Sequence, residues 1–285
     1  MISITKVNNC IQKALAKNKA NGLEEPDYTV LLAISLPEII KDFSSNPAKI
    51  KAGSCFIHQS PLACFSSTHK NKSCELGDLL VLVRKTTVDG IRYNASFVQM
   101  KRSSGKSPLR IMKNNELKQL FLYEHWPCFL IKQFGKQYDI FPKTSSQGAW
   151  YCIIQNNSDN SSVQYYMSEP MSSMHYSSRH TFGKFIVNLV EWKTGRCISN
   201  SLSKDSDEWS KLVWDVVRHC VQSKFNRKKS GFKDASRATG DILKCLLEET
   251  AKSEAAPSVF PEDIESDKKR FYLLFIDVDE RDQAN

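Results

Sequence analysis

The chain has 285 residues, 41% hydrophobic and 25% charged, a globular balance that excludes an overall disordered or fibrous protein. That length accommodates one sizeable α/β domain with an appendage, or two smaller domains. Forty Lys and Arg against 31 Asp and Glu leave a formal charge of +9, which favours a polyanionic partner such as nucleic acid or an anionic membrane surface.

The first residues, Met1-Ile2-Ser3-Ile4, lack the apolar stretch of a secretory signal, and no run reaches the roughly 18 apolar residues of a membrane span. Nine scattered cysteines contain no C-x-x-C pair of the zinc or thioredoxin kind. A soluble, cytoplasmic protein with reduced thiols is expected.

In chain order, Val7 to Lys19 reads as a helix that Asn21-Gly22 ends. A second helix starts at Glu24-Glu25-Pro26-Asp27, where proline fits a first turn and the acids favour the positive end of the helix dipole. Short apolar runs then predict strands at Cys55–Ile57, Leu62–Phe65, Leu79–Val83 and Ser96–Met100. Asp89-Gly90 lies between the last two, a strong tight-turn signal, so residues 76–101 are expected to form one antiparallel hairpin. Asn114 to Gln133 reads as a helix packing Leu117, Leu120, Phe121 and Tyr123 inward until Pro127, followed by a strand at Ala149–Gln155. Residues 156–180, rich in Ser and Asn, are expected to be a surface loop. Helices at Phe182–Val190, Trp209–Phe225 and near Asp241–Ala251, and a closing strand Phe271–Val278, complete the order. The expected division is an N-terminal helix (1–23), a core (24–155), the loop (156–180) and a mainly helical C-terminal extension (181–285).

A turn on Asp89-Gly90 pairs Asp78 with Lys101 and Leu80 with Gln99, placing Asp78, Gln99 and Lys101 on one face of the hairpin, because side chains alternate with period two. Phosphodiester hydrolysis requires a hard cation, an activated water and positive charge for the transition state. Asp78 is the candidate anionic ligand of Mg²⁺ or Mn²⁺, the Gln99 side chain and the Met100 carbonyl are neutral ligands, and Lys101 orients or activates the water.

Gly77-Asp78 followed by Gln99-Met100-Lys101 resembles the PD-(D/E)xK, or restriction-endonuclease-like, nuclease superfamily in a Gln-x-Lys variant. The resemblance covers roughly residues 24–155. It implies an α/β fold with an αβββαβ core and mixed sheet, and a further acidic ligand from an upstream helix. Glu25 is the first candidate for that ligand and Glu38 the second. Glu75 could also supply the charge, although on an extended strand it would point to the opposite face from Asp78.

The resemblance departs at Gln99, where the superfamily more often carries an acid. A magnesium-dependent DNA endonuclease is the leading expectation, with a restriction or phage-defence role by family analogy, acting as a homodimer or with a defence-system partner. The competing expectation is a nucleic-acid-binding or assembly module that keeps the fold but has lost productive metal binding; RNA remains open as a substrate. Lys101, Arg102, Lys106, Lys228 and Lys229 are the expected backbone contacts to nucleic acid. His58, His175, Arg179 and His180 are weaker phosphate candidates, and the five tryptophans are expected in the core.

Overall fold

The computed structural model describes residues 4–17, 28–29, 32–33, 35–37, 40, 49–57, 60–67, 70–103, 109–110, 114–143, 148–156, 163–171, 173–174, 180–200, 206–225 and 271–281. They form a mixed α/β structure around a mixed seven-stranded sheet in the order β1-β13-β4-β5-β9-β10, with β12 also paired to β5. The strands of this order are β1 (Lys49–Ile57), β4 (Leu79–Thr87), β5 (Gly90–Ser103), β9 (Ala149–Asn156), β10 (Val163–Ser168), β12 (Arg196–Ile198) and β13 (Phe271–Asp279). β13 is parallel to β4 and β5 is parallel to β9, whereas β1–β13, β4–β5, β9–β10 and β12–β5 are antiparallel. A four-stranded sheet stands beside it in the order β3-β2-β7-β8, built from β2 (Leu62–Ser67), β3 (Lys70–Glu75), β7 (Phe129–Ile131) and β8 (Lys136–Tyr138). β6 (Leu109–Arg110) and β11 (Ser173–Met174) make a separate two-stranded pair.

The large sheet separates two apolar cores, and strand alternation assigns each residue to one of them. One face carries Leu79, Val81, Val83, Val98 and Met100. It is covered by α1 (Ile4–Lys17), by buried helical residues Tyr28, Leu32, Leu36 and Ile40, and by α3 (Phe182–Val190). The spacing 28, 32, 36, 40 is a helical stripe. α1 is clipped to α3 through Asn8, whose amide nitrogen donates to the Thr181 hydroxyl at 3.0 Å and whose oxygen accepts from the Gly183 N–H at 3.2 Å. Thr181 itself caps the helix, accepting from Lys184 N–H. Gly183 is required by this closeness, since a Cβ there would lie 2.3 Å from the Asn8 oxygen.

The other face carries Leu80, Leu82, Phe97, Tyr151 and Ile153 and is covered by α2 (Asn114–His125), α4 (Glu208–Phe225) and the small sheet. Trp209 on α4 is fully buried at its centre, edge-on to both Phe97 and Trp126.

Several expectations are corrected. The hairpin turn falls on Val88-Asp89, because Thr87 pairs with Gly90, and facing positions sum to 177 rather than 179. Gly90 follows the turn and takes φ +127°, the conformation that needs glycine there. The helix after residue 114 stops at His125, and residues beyond Pro127 form β7, so the helical reading to Gln133 does not hold. Leu117 is 43% exposed, on the outer side of α2 rather than inward. The Ser/Asn-rich segment 156–180 contains β10, a full partner of β9, since Tyr165 and Met167 alternate inward. The closing strand forms, yet it is no appendage: β13 is buried between β1 and β4 and completes the central sheet. The structure therefore carries more strands than an αβββαβ order. The helix expected near Asp241–Ala251 lies outside the described residues. No helix among the described residues is long and apolar enough to cross a membrane.

Candidate active site

β5 is longer than its hairpin partner. It pairs with β4 as far as Leu79↔Val98 and continues alongside β9 from Phe97↔Ala149 to Ser103↔Gln155. Asp78, the residue before β4, therefore meets β5 where it passes the end of β4, and continuing the register sets it against Gln99 rather than Lys101. The two-residue error in the expected register leaves the face unchanged, because a shift of two preserves side-chain direction. Gln99 and Lys101 thus lie on the face covered by α2, whereas the exposed Arg102 alternates away.

The segment leading into Asp78 is pinned at each residue. Leu76 N–H donates to Pro61 O at 2.8 Å, and the Tyr123 hydroxyl donates to Leu76 O at 2.7 Å. The Ser60 hydroxyl donates to Gly77 O at 2.7 Å. Asp78 N–H donates to Val98 O at 3.0 Å, and its carbonyl accepts from Tyr272 N–H at 2.9 Å. A side chain at Gly77 would press on the Tyr123 hydroxyl at 3.1 Å and the Val98 carbonyl at 3.3 Å, so glycine lets α2 approach this closely.

The Asp78 carboxylate accepts on one oxygen from Met100 N–H at 2.7 Å and from Gln99 Nε2. Gln99 is buried, and Nε2 also donates to Met100 O at 3.2 Å. Its Oε1 accepts from Nε2 of buried Gln119 on α2, which donates in addition to Glu75 O at 3.1 Å. Tyr123, one helical turn after Gln119, and Tyr151, the β9 partner of Gln99, complete the buried wall with ring centroids 5.7 Å apart.

Burial pushes the Tyr123 phenol well above its usual range, with Tyr151, Asp78, Cys74 and Glu75 adding in the same direction. Burial does the same to Tyr151, reinforced by Cys74, Glu116, Glu124 and Asp78. Both hydroxyls remain protonated donors. The Tyr123 donor is used on Leu76, whereas the Tyr151 hydroxyl, fully buried, has no partner among the described residues. Cys74, on β3, is pushed up to about 12, first by burial and next by Glu75, and is an inert thiol.

The structure puts Asp78 in contact with Gln99, with Lys101 two residues further along the same face of β5, and adds Gln119, Tyr123 and Tyr151, which sequence reasoning did not assign to the site. The available signal was a glutamine on the buried side of a helix, one turn before an inward tyrosine. Glu75 also departs from expectation: β3 ends at it and residues 76–78 bend, so period two does not run from Glu75 to Asp78, and both carboxylates act on the Tyr123 phenol. The Met100 carbonyl faces the Gln99 amide. Glu25, Glu38, His58, Lys106, His175, Arg179, Lys228 and Lys229 lie outside the described residues, and His180 is exposed.

A divalent cation fits this donor set only with a rearrangement. Asp78 offers a carboxylate, but Gln99 turns its amide nitrogen, not its oxygen, toward it. Among the described residues no three His, Cys, Asp or Glu side chains converge on one point. Comparison with protein-family models, curated proteins and solved structures finds no match.

Proposed function

We propose that this chain is a metal-dependent DNA endonuclease whose site is Asp78, Gln99 and Lys101, with a place in restriction or phage defence by family analogy. The observation that carries the reading is the direct contact of Asp78 with Gln99 under α2, on the same sheet face as Lys101. Asp78 and the Gln99 amide oxygen would hold Mg²⁺ or Mn²⁺, joined by an upstream acid, for which Glu25, Glu38 and Glu75 stay open. The cation, when bound, supplies Lewis acidity at a phosphoryl oxygen and a more acidic water.

The protein's own groups do the rest. The Lys101 ammonium places positive charge beside the scissile phosphate and orients the attacking water. Burial of Gln99 and Gln119 excludes bulk water from that side. The charge of +9 supports a polyanionic substrate. Where α2 meets the small sheet, exposed His125 stacks on Phe121 at 4.5 Å with the Lys72 ammonium 5.5 Å from that ring, a surface suited to flanking nucleotides.

A second reading, a binding module without catalysis, is favoured by one observation, the donor face that Gln99 presents to Asp78. Cleavage of plasmid, linear and single-stranded DNA in Mg²⁺ or Mn²⁺ separates the two. The nuclease reading expects cleavage by the wild type that Asp78→Ala and Lys101→Ala each abolish. DNA binding without cleavage, equal in all three proteins and indifferent to metal, would establish the binding module instead.

A further inference from the structure

The four groups Asp78, Gln99, Gln119 and Glu75 form one directed chain of hydrogen bonds, and its two ends fix its direction. At one end the Asp78 carboxylate is an acceptor, and at the other the Glu75 carbonyl can only accept. Gln99 must therefore turn its NH₂ to Asp78, which leaves its oxygen facing Gln119. Gln119 must then turn its NH₂ to both Gln99 and Glu75. Neither amide can reverse alone without setting oxygen against oxygen or N–H against N–H.

We infer that Gln119 is a positioning residue for cation binding: it locks Gln99 in the donor-inward orientation that excludes a metal, and the two glutamines turn over together when one enters. This rests on the nuclease reading of the site for its purpose, though not for its test. A cation held between Asp78 and Gln99 Oε1 requires the Gln99 NH₂ to face Gln119, which must answer with its own oxygen and give up the Glu75 carbonyl. The Gln119–Glu75 bond and the occupied metal site are thus mutually exclusive, and α2 senses occupancy through one side chain. Both glutamines are at least 95% buried, so water cannot substitute freely for the partner that is lost.

Releasing the lock should raise metal affinity, an outcome that simple damage to the site would not give. Mn²⁺ titration of the full chain is expected to show affinity roughly threefold to tenfold higher in Gln119→Met than in wild type, the scale of one or two net hydrogen bonds. The same substitution in a Gln99→Leu background should change nothing. Unchanged or weaker affinity in Gln119→Met, or no Mn²⁺ binding by any of these proteins, overturns the inference.

Should Gln119→Met fail to fold, the wild type decides. Its ¹⁵N side-chain amide signals of Gln99 and Gln119 should shift with the same Mg²⁺ dependence, whereas movement of Gln99 alone, or of neither, overturns the coupling. DNA cleavage measured in parallel keeps the two claims apart. Coupled amides without cleavage would leave this inference standing and remove the nuclease, and cleavage with a silent Gln119 would do the reverse.

Discussion

Asn94 and Gln99 are both buried amides on β5, and they face opposite sides of the same sheet. Asn94 Nδ2 donates to Leu189 O at 2.9 Å and Thr194 O at 2.8 Å, closing the carboxyl end of α3 and the turn after it. Its oxygen gains no partner among the described residues, so two backbone carbonyls are what hold it. Gln99 serves no helix end. Its partners beyond its own strand are a carboxylate and another amide, beside a buried tyrosine hydroxyl with no partner among the described residues. Asn94 is spent on the backbone of a helix end, whereas Gln99, apart from one bond to its own strand, is spent on side chains whose arrangement can change.

The largest expected effect tests whether the site's face is also a load of ordinary core. Trp209→Ala removes the ring that fills the space between Phe97, Trp126 and Gly148, and should cost about 3–5 kcal/mol in denaturant unfolding. A loss under about 1 kcal/mol would mean that this face is not packed as described. Next, Asn94→Ala should cost about 1–3 kcal/mol by removing a buried donor from the Leu189 and Thr194 carbonyls at the end of α3. If it were silent, the contrast between the two amides would vanish.

Tyr151→Phe sharpens the contrast from the other side. It deletes a buried hydroxyl with no partner among the described residues, so the ligand-free protein should be unchanged or more stable by up to about 1 kcal/mol. Destabilisation of that size would show that the hydroxyl belongs to the fold.

The smallest effect is a pH control away from the site. His219, on α4 edge-on to Phe134, has its pKa lowered from 6.5 to about 4 by burial. Folded His219 stays neutral where the unfolded residue protonates. Its contribution is therefore intact above pH 6.5 and is lost as pH falls from 6.5 toward 4. His219→Gln should flatten the fall of Tm with acid in that window, and an unaltered profile would show that another group governs it.

Much of the frame was legible because it is local. Phe182–Val190 and the helix beginning near Trp209 announced themselves by apolar spacing, and the β4–β5 hairpin by two apolar runs around Asp89-Gly90. The face shared by Asp78 and Gln99 survived a misplaced turn because the error was an even number of residues. What was hidden is tertiary. β3 reads Lys-Asn-Lys-Ser-Cys-Glu and becomes a strand through pairing with β2, not through its own hydrophobicity. β13 carries no mark in its sequence that it will insert between β1 and β4. Gln119 could be placed on the inward side of its helix, one turn before Tyr123, but only the packing of α2 sets it over Gln99.

Anomalous scattering of Mn²⁺ in crystals of the wild-type protein shows directly whether Asp78 and Gln99 hold a cation. A peak at inner-sphere distance from the Asp78 carboxylate, with the Gln99 oxygen turned toward it, is the predicted result. A Mn²⁺ peak elsewhere in a protein that cleaves DNA, with the Gln99 nitrogen still on Asp78, would remove this pair from the metal site.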